Sequence, residues 1–135
     1  MMYFAYGANT NDDGMEFRCP AAKKVGTLSL PDYRLVFRGV ADIEHAPHNE
    51  VLGVMWDITK ACEKSLDGFE GYPFLYRKEY FVAKVDGEVQ DVMFYTMNRN
   101  NYDLPSESYF RTIENGYLQN SLPTDLLYES LNSNV

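Results

Sequence analysis

The sequence has few of the residues on which metal-dependent and nucleophilic enzymes rely, with two histidines, two cysteines and one tryptophan in 135 residues. Cys19 and Cys62 have no metal-ligand spacing, and no histidine stands near either one. We therefore expect both cysteines to be reduced and structural, which disfavours a thiol protease. Asp42, Glu44 and the two histidines suggest a metal site by residue type, but their spacing matches no ligand pattern. A solvated loop is the preferred interpretation there, so we expect no metal and no cofactor.

Basic residues are also scarce, because 12 Lys and Arg stand against 20 Asp and Glu, for a formal net charge of −8. The adjacent basic residues form only two pairs, Lys23-Lys24 and Arg77-Lys78. Such a surface repels phosphate backbones, so we expect no nucleic-acid partner.

Long apolar runs are missing as well. No apolar stretch is long enough to cross a bilayer. The opening residues 1–6 are apolar, but they are too few for a leader and lack a basic start. We therefore expect a soluble, cytoplasmic protein without a membrane partner.

Aromatic residues are abundant, at 15% of the chain, and 11 of them are tyrosine and 8 phenylalanine. This composition favours β structure and a pocket whose aromatic walls carry polar tips. The length fits one compact domain over residues 1–135.

The apolar pattern and the turn signals predict several strands, one helix among them, and further helices near the C-terminus. Strands are predicted at residues 2–6, 24–30, 33–37, 40–43, 50–58, 75–85 and 89–97, with a loop at 46–49 and a hairpin turn at Asp86-Gly87. Helices are predicted near Asp12, at 60–69 between Thr59 and Gly71, at 106–115 before Gly116, and from Thr124 to about 131. This segregation indicates an α+β fold with a mixed, largely antiparallel sheet that can curl into a barrel.

Two segments carry chemistry. Tyr6-Gly7-Ala8-Asn9 follows the first strand, where consecutive amide groups can converge on an anion, although an ordinary turn is the preferred interpretation of this segment taken alone. Glu70 lies at a helix end among aromatic residues, where burial and the helix dipole would raise its pKa towards that of a general base. From composition alone, a solvated surface glutamate is the preferred interpretation.

Taken together, these segments resemble the γ-glutamylcyclotransferase family, also described as AIG2-like. The resemblance rests on Tyr6-Gly7-Ala8-Asn9, Gly53-Val54-Met55-Trp56, Leu66-Asp67-Gly68-Phe69-Glu70-Gly71, Tyr76-Arg77, Pro105-Ser106-Glu107-Ser108-Tyr109 and residues 116–123, in this order along nearly the whole chain. It implies a β-barrel with flanking helices and a cavity at one mouth.

The resemblance also implies the roles of individual residues. Glu70 matches the family's acid/base, and Tyr6, Gly7, Ala8 and Asn9 match the loop whose amides bind the γ-glutamyl group. Tyr76 and Tyr109 match tyrosines that line the pocket. Many family members have serine where this chain has Ala8, which concerns the choice of substrate more than the reaction.

The reaction so implied is intramolecular aminolysis of a γ-glutamyl amide, which gives 5-oxoproline and a free amine. The substrate carries its own nucleophile, its α-amino group, so one carboxylate that relays a proton suffices. The expected partner is thus a small γ-glutamyl compound, acted on by a monomer or a homodimer. The alternative is a non-catalytic binding or regulatory protein on the same fold.

Overall fold

A computed structural model describes residues 1–134. Five strands form one sheet, and their ranges are β1 (Met2–Ala5), β2 (Lys23–Phe37), β3 (Ala41–Asp57), β4 (Tyr76–Val85) and β5 (Glu88–Met97). The order across the sheet is β2-β3-β1-β5-β4. Only the β1–β5 pair is parallel among the pairs of named strands. The predicted mixed, largely antiparallel sheet is therefore confirmed.

Four α-helices follow or separate the strands: α1 (Asp12–Arg18), α2 (Lys60–Glu70), α3 (Glu107–Gln119) and α4 (Asp125–Glu129). Short 3₁₀ helices cover Ala8–Thr10 and Ser130–Asn134. The α+β class is confirmed, and the last two α-helices gather after the sheet as expected. The sheet is open rather than closed, because its edge strands β2 and β4 do not pair within residues 1–134, so the word barrel applies loosely.

The long hairpin of β2 and β3 bends at a break in its register. Pro31 pairs with Glu50, but Tyr33 pairs with His45, so a single residue of β2 stands opposite the four residues 46–49 of β3. The sequence predicted a loop at these four residues, whereas the strand continues through them as an irregularity. The bend brings the first residues of β3 to the end of β5, where Thr96 Oγ1 donates to the Ile43 carbonyl oxygen over 3.3 Å.

Two glycines allow close approach between elements. A Cβ at Gly53 on β3 would lie 2.4 Å from the Ala5 carbonyl oxygen, so the glycine allows β3 to lie close to β1. A Cβ at Gly116 would lie 2.3 Å from Thr10 Oγ1. The prediction that Gly116 ends its helix is wrong, because α3 runs on to Gln119 and the glycine instead lets the helix pack on the 3₁₀ segment.

The core joins the sheet to all four helices. Its fully buried side chains include Phe4, Phe37, Met93 and Tyr95 from the strands, and Met15, Leu66, Ile113 and Leu127 from the helices. Cys19 and Cys62 are buried and free of disulfide bonds. No helix within residues 1–134 has the length and apolar character needed to span a membrane.

Candidate active site

A cleft opens where β1 ends, with an empty volume of about 330 Å³ that includes its open mouth. It is lined by Tyr3, Phe4, Tyr6, Gly7, Ala8, Asn9, Ala41, Phe69, Glu70, Tyr76, Tyr95 and Tyr109. All seven residues singled out from the sequence therefore lie in one cleft. Tyr3, Phe4 and Tyr95 were not singled out because a strand buried on both faces has no alternation to mark its inner side. Ala41 and Phe69 were given no role because their side chains carry no polar group.

Glu70 is the acidic residue of this cleft, and helix α2 places it there. Thr59 caps the start of α2 by accepting a bond from the Cys62 amide over 3.1 Å. Gly71 ends the helix in the left-handed conformation, with φ of 67°. The carboxylate accepts no hydrogen bond from residues 1–134. Burial raises the pKa of Glu70 to about 7, and the positive charge of Arg18 partly opposes that shift.

The segment from Tyr6 to Asn9 forms the opposite side of the cleft. The Gly7 carbonyl oxygen accepts bonds from the Thr10 amide at 3.0 Å and from Thr10 Oγ1 at 2.7 Å, which holds the turn. In the described part of the chain, the Ala8 and Asn9 amide groups donate to no acceptor. Gly7 has φ of −117°, so left-handed backbone does not explain the glycine. A Cβ there would come within 3.0 Å of Ala41 Cβ, so close approach explains it.

Ala41 connects the two tyrosines predicted to line the cleft. Its carbonyl oxygen accepts a bond from the Tyr76 hydroxyl at 2.7 Å, and its amide donates to the Tyr109 hydroxyl at 3.0 Å. Burial raises the pKa of both phenols, so both stay protonated. Tyr6 donates its own hydroxyl proton to the Tyr95 carbonyl oxygen at 2.6 Å.

Asp42, the next residue, forms a buried ion pair. Its carboxylate accepts from Arg38 Nε at 2.6 Å, from Thr96 Oγ1 at 2.8 Å and from the Met97 amide at 2.9 Å. The expectation of a solvated loop is therefore wrong at Asp42, because the bend in β3 carries this residue against β5. Because Asp42 follows Ala41 directly in the chain, its ion pair with Arg38 holds the peptide of Ala41 at the wall of the cleft.

Arg18 lies beside the cleft as a cation, and no sequence motif had singled it out. Its Nε donates to Asn9 Oδ1 over 2.8 Å, and its guanidinium carbon lies 4.0 Å from the centroid of the Phe69 ring. Its pKa is lowered from the ordinary value, chiefly by burial. A basic residue that ends a helix shortly after the Tyr6–Asn9 segment was the signal that could have found it.

Comparison with known proteins identifies the family of the chain. The family model described as "Gamma-glutamyl cyclotransferase, AIG2-like" matches residues 3–116, which is most of the chain. The chain belongs to the γ-glutamyl cyclotransferase family. The matched range begins at Tyr3 and includes every cleft residue given above.

Relatives of known name agree with this family. The γ-glutamylcyclotransferases of Bos taurus and Homo sapiens are each 30% identical to the chain over 138 residues, covering 92% of it and 73% of the relative. A solved structure named "Gamma-glutamyl cyclotransferase" superposes with a TM-score of 0.83 at 27% identity, covering 98% of this chain and 86% of that one. The expectation of an enzyme from the γ-glutamyl cyclotransferase family is therefore confirmed.

Proposed function

We propose that the protein converts a small γ-glutamyl amide into 5-oxoproline and a free amine, with Glu70 as the general acid and base. The observation that carries the proposal is a glutamate that accepts no hydrogen bond from the described residues, with its pKa near 7, in the same cleft as the Tyr6–Asn9 segment. Such a carboxylate is ready to accept and return a proton at neutral pH. The names of the relatives support the substrate class.

The reaction needs one proton relay. The α-amino nitrogen of the substrate attacks the γ-carbonyl carbon, a C–N bond forms, and the carbonyl π pair moves to oxygen. The Glu70 carboxylate takes the proton from the attacking nitrogen. The pair on oxygen then re-forms the carbonyl as the C–N bond of the original amide breaks, and the carboxylic acid of Glu70 gives that proton to the leaving nitrogen. Proximity is built into the substrate, so no enzyme nucleophile is required.

The other cleft residues bind and orient the substrate in this proposal. The unused amides of Ala8 and Asn9 are donors for the γ-glutamyl group, and Gly7 gives them room. Tyr76 and Tyr109 form the polar-tipped wall, with their hydroxyls aligned by Ala41. Because these donors are backbone amides, the alanine at position 8 leaves the binding groups in place. A cytoplasmic location is part of the proposal, since two free thiols suit a reducing compartment.

The experiment measures 5-oxoproline release from γ-glutamyl dipeptides, γ-glutamyl-ε-lysine and glutathione by the wild type and by Glu70→Gln. We expect release by the wild type and a loss of at least about 100-fold in kcat in the variant. Glu16→Gln, which changes an exposed glutamate of α1, serves as the control and should behave as the wild type. Full activity of Glu70→Gln would refute the role of Glu70. Tight ligand binding without any product would instead indicate the non-catalytic alternative.

A further inference from the structure

Tyr3 lines the cleft, and the part of the chain that the structure describes leaves its hydroxyl proton unused. Tyr3 is only 3% exposed, and its hydroxyl oxygen accepts a bond from Asn9 Nδ2 at 3.0 Å. A phenol has one proton to donate. No acceptor within residues 1–134 takes that proton, although buried hydroxyls normally donate to a partner. Tyr6 differs, because its proton goes to the Tyr95 carbonyl oxygen.

Arg18 determines that Tyr3 accepts rather than donates. A guanidinium group has donors and no acceptor. Because Arg18 Nε is 2.8 Å from Asn9, the atom of Asn9 that faces it must be the oxygen. The amide nitrogen of Asn9 then faces Tyr3 and donates to it. With the amide reversed, Tyr3 would donate to the Asn9 oxygen and its proton would be spent within the protein.

The surroundings of Arg18 hold its guanidinium beside Asn9. Its guanidinium stacks on the Phe69 ring, and it forms no ion pair with a carboxylate in the described residues. Its carbonyl oxygen accepts a bond from Ser65 Oγ at 2.8 Å, which ties the end of α1 to the helix that carries Glu70. Gly14 leaves the space for the guanidinium, because a Cβ there would lie 2.5 Å from Arg18 Nη2.

We propose that Arg18 and Asn9 act as positioning residues that direct the Tyr3 hydroxyl proton into the cleft, and that Tyr3 is a catalytic residue that donates a hydrogen bond to the γ-carbonyl oxygen. This inference rests on the proposed function. As the α-amino nitrogen attacks, the carbonyl π pair moves to that oxygen, and the Tyr3 bond to it strengthens. Tyr3 keeps its proton throughout, and Glu70 alone carries the proton between the two nitrogens.

A hydroxyl that keeps its proton suits the carbonyl oxygen of the substrate better than the reacting nitrogens. Tyr3 and Glu70 both line the cleft, and the charge of Glu70 adds to burial in acting on the pKa of Tyr3. Both influences raise that pKa well above its usual value, which suits a hydrogen-bond donor and not a group that gives up its proton. The carbonyl oxygen is the atom that gains negative charge in the attack, so it gains most from such a donor.

The first test is Tyr3→Phe, assayed for 5-oxoproline release. Loss of one donor to a developing oxyanion lowers kcat by about 100-fold, with little change in KM. Tyr117→Phe removes the hydroxyl of another buried tyrosine outside the cleft and should leave kcat unchanged. A Tyr3→Phe enzyme with wild-type kcat would overturn the inference, as would a rise in KM alone. In either case, 5-oxoproline release by the wild type would leave the proposed function standing.

The second test addresses the positioning residues through Gly14→Ala. This substitution removes no functional group and favours the helix by about 1 kcal/mol, so Tm should hold or rise. We expect kcat to fall nevertheless, because the new Cβ displaces the guanidinium. The assay is run at pH 9, where Glu70 is ionised in every variant. Arg18→Lys, which also offers only donors, should retain more activity than Arg18→Gln.

The decisive readout is the combination of variants. If Arg18 acts through Tyr3, then Gly14→Ala and Arg18→Gln should have little further effect on kcat in a Tyr3→Phe background. The same fold loss in both backgrounds would show that Arg18 acts by another route and would overturn the proposed relay.

Discussion

Replacing Glu70 with glutamine should stabilise the protein in alkaline solution while it removes activity. Burial raises the pKa of Glu70 from 4.5 to about 7. At about 1.4 kcal/mol per pH unit, this difference corresponds to about 3 kcal/mol that the folded protein loses when the carboxylate is ionised. Because Glu70 is partly exposed to the cleft, solvent screening reduces the expected effect to about 1 to 3 kcal/mol.

The sign of the effect follows from proton binding. Below pH 4.5 the carboxyl group is protonated in both the folded and the unfolded chain, so it imposes no cost. Between pH 4.5 and 7 the folded protein holds a proton that the unfolded chain has lost, so stability falls as the pH rises. Above pH 7 the whole cost is present. The glutamine variant never ionises and escapes this cost.

The assay is denaturant unfolding of wild type and Glu70→Gln at pH 4.5 and pH 8. The two proteins should have similar free energies of unfolding at the lower pH, and the variant should be more stable by about 1 to 3 kcal/mol at the higher pH. Glu16→Gln should show no such dependence on pH. An equal stability difference between wild type and Glu70→Gln at both pH values would refute the assignment of a raised pKa to Glu70.

Three further perturbations have expected outcomes. The kcat/KM profile should fall about fivefold from pH 7 to pH 6, because with a pKa of about 7 the base form of Glu70 drops from about one half to about one tenth. Arg18→Gln should move this limb to higher pH, because the charge of Arg18 lowers the pKa of Glu70; a flat profile would contradict both statements. Asp42→Asn, measured by denaturant unfolding, should cost about 2 to 3 kcal/mol, because it removes the buried carboxylate that pairs with Arg38 and leaves this guanidinium with only the partly exposed Glu44 as its counter-ion. Arg34→Gln, which breaks a more exposed ion pair with Glu44, should cost less than about 1 kcal/mol. Gly116→Ala should lower both Tm and kcat, since its Cβ meets the 3₁₀ segment beside the cleft; wild-type values for both would contradict that packing.

Local signals predicted the elements that depend on local chemistry. Helix α2 lies between a threonine N-cap and a glycine C-cap, and it begins at the predicted Lys60 and ends one residue beyond the predicted 69. The β4–β5 hairpin turns at Asp86 and Gly87, both with positive φ, as that pair of residues favours. Glu70 could be placed for the same reason, because its position at the end of α2 depends on neighbours in the sequence.

Contacts between distant residues could not be predicted in this way. Aspartate is a residue type common in loops, and the burial of Asp42 depends on the contact of β3 with Thr96, which lies 54 residues later in the chain. Gly116 carries the signal of a helix end, but its role depends on Thr10. The direction of the Tyr3 proton depends on Asn9 and on a guanidinium from α1. In each case the deciding partner belongs to another element, and a periodic pattern contains no information about it.

The packing of α3 against the 3₁₀ segment Ala8–Thr10 links the C-terminal helices to the cleft, although Tyr109 is what they contribute to its lining. The Asn11 side chain donates to the Thr112 carbonyl oxygen at 3.0 Å, and the Asn120 side chain donates to the Thr10 carbonyl oxygen at 3.0 Å. A chain cut after Leu104 would keep all five strands and Glu70, yet its Ala8–Asn9 segment would lose this outer support. Shortened versions of the protein can therefore keep Glu70 and Tyr3, lose Tyr109 from the cleft wall, and lack the packing that holds the Tyr6–Asn9 segment in place.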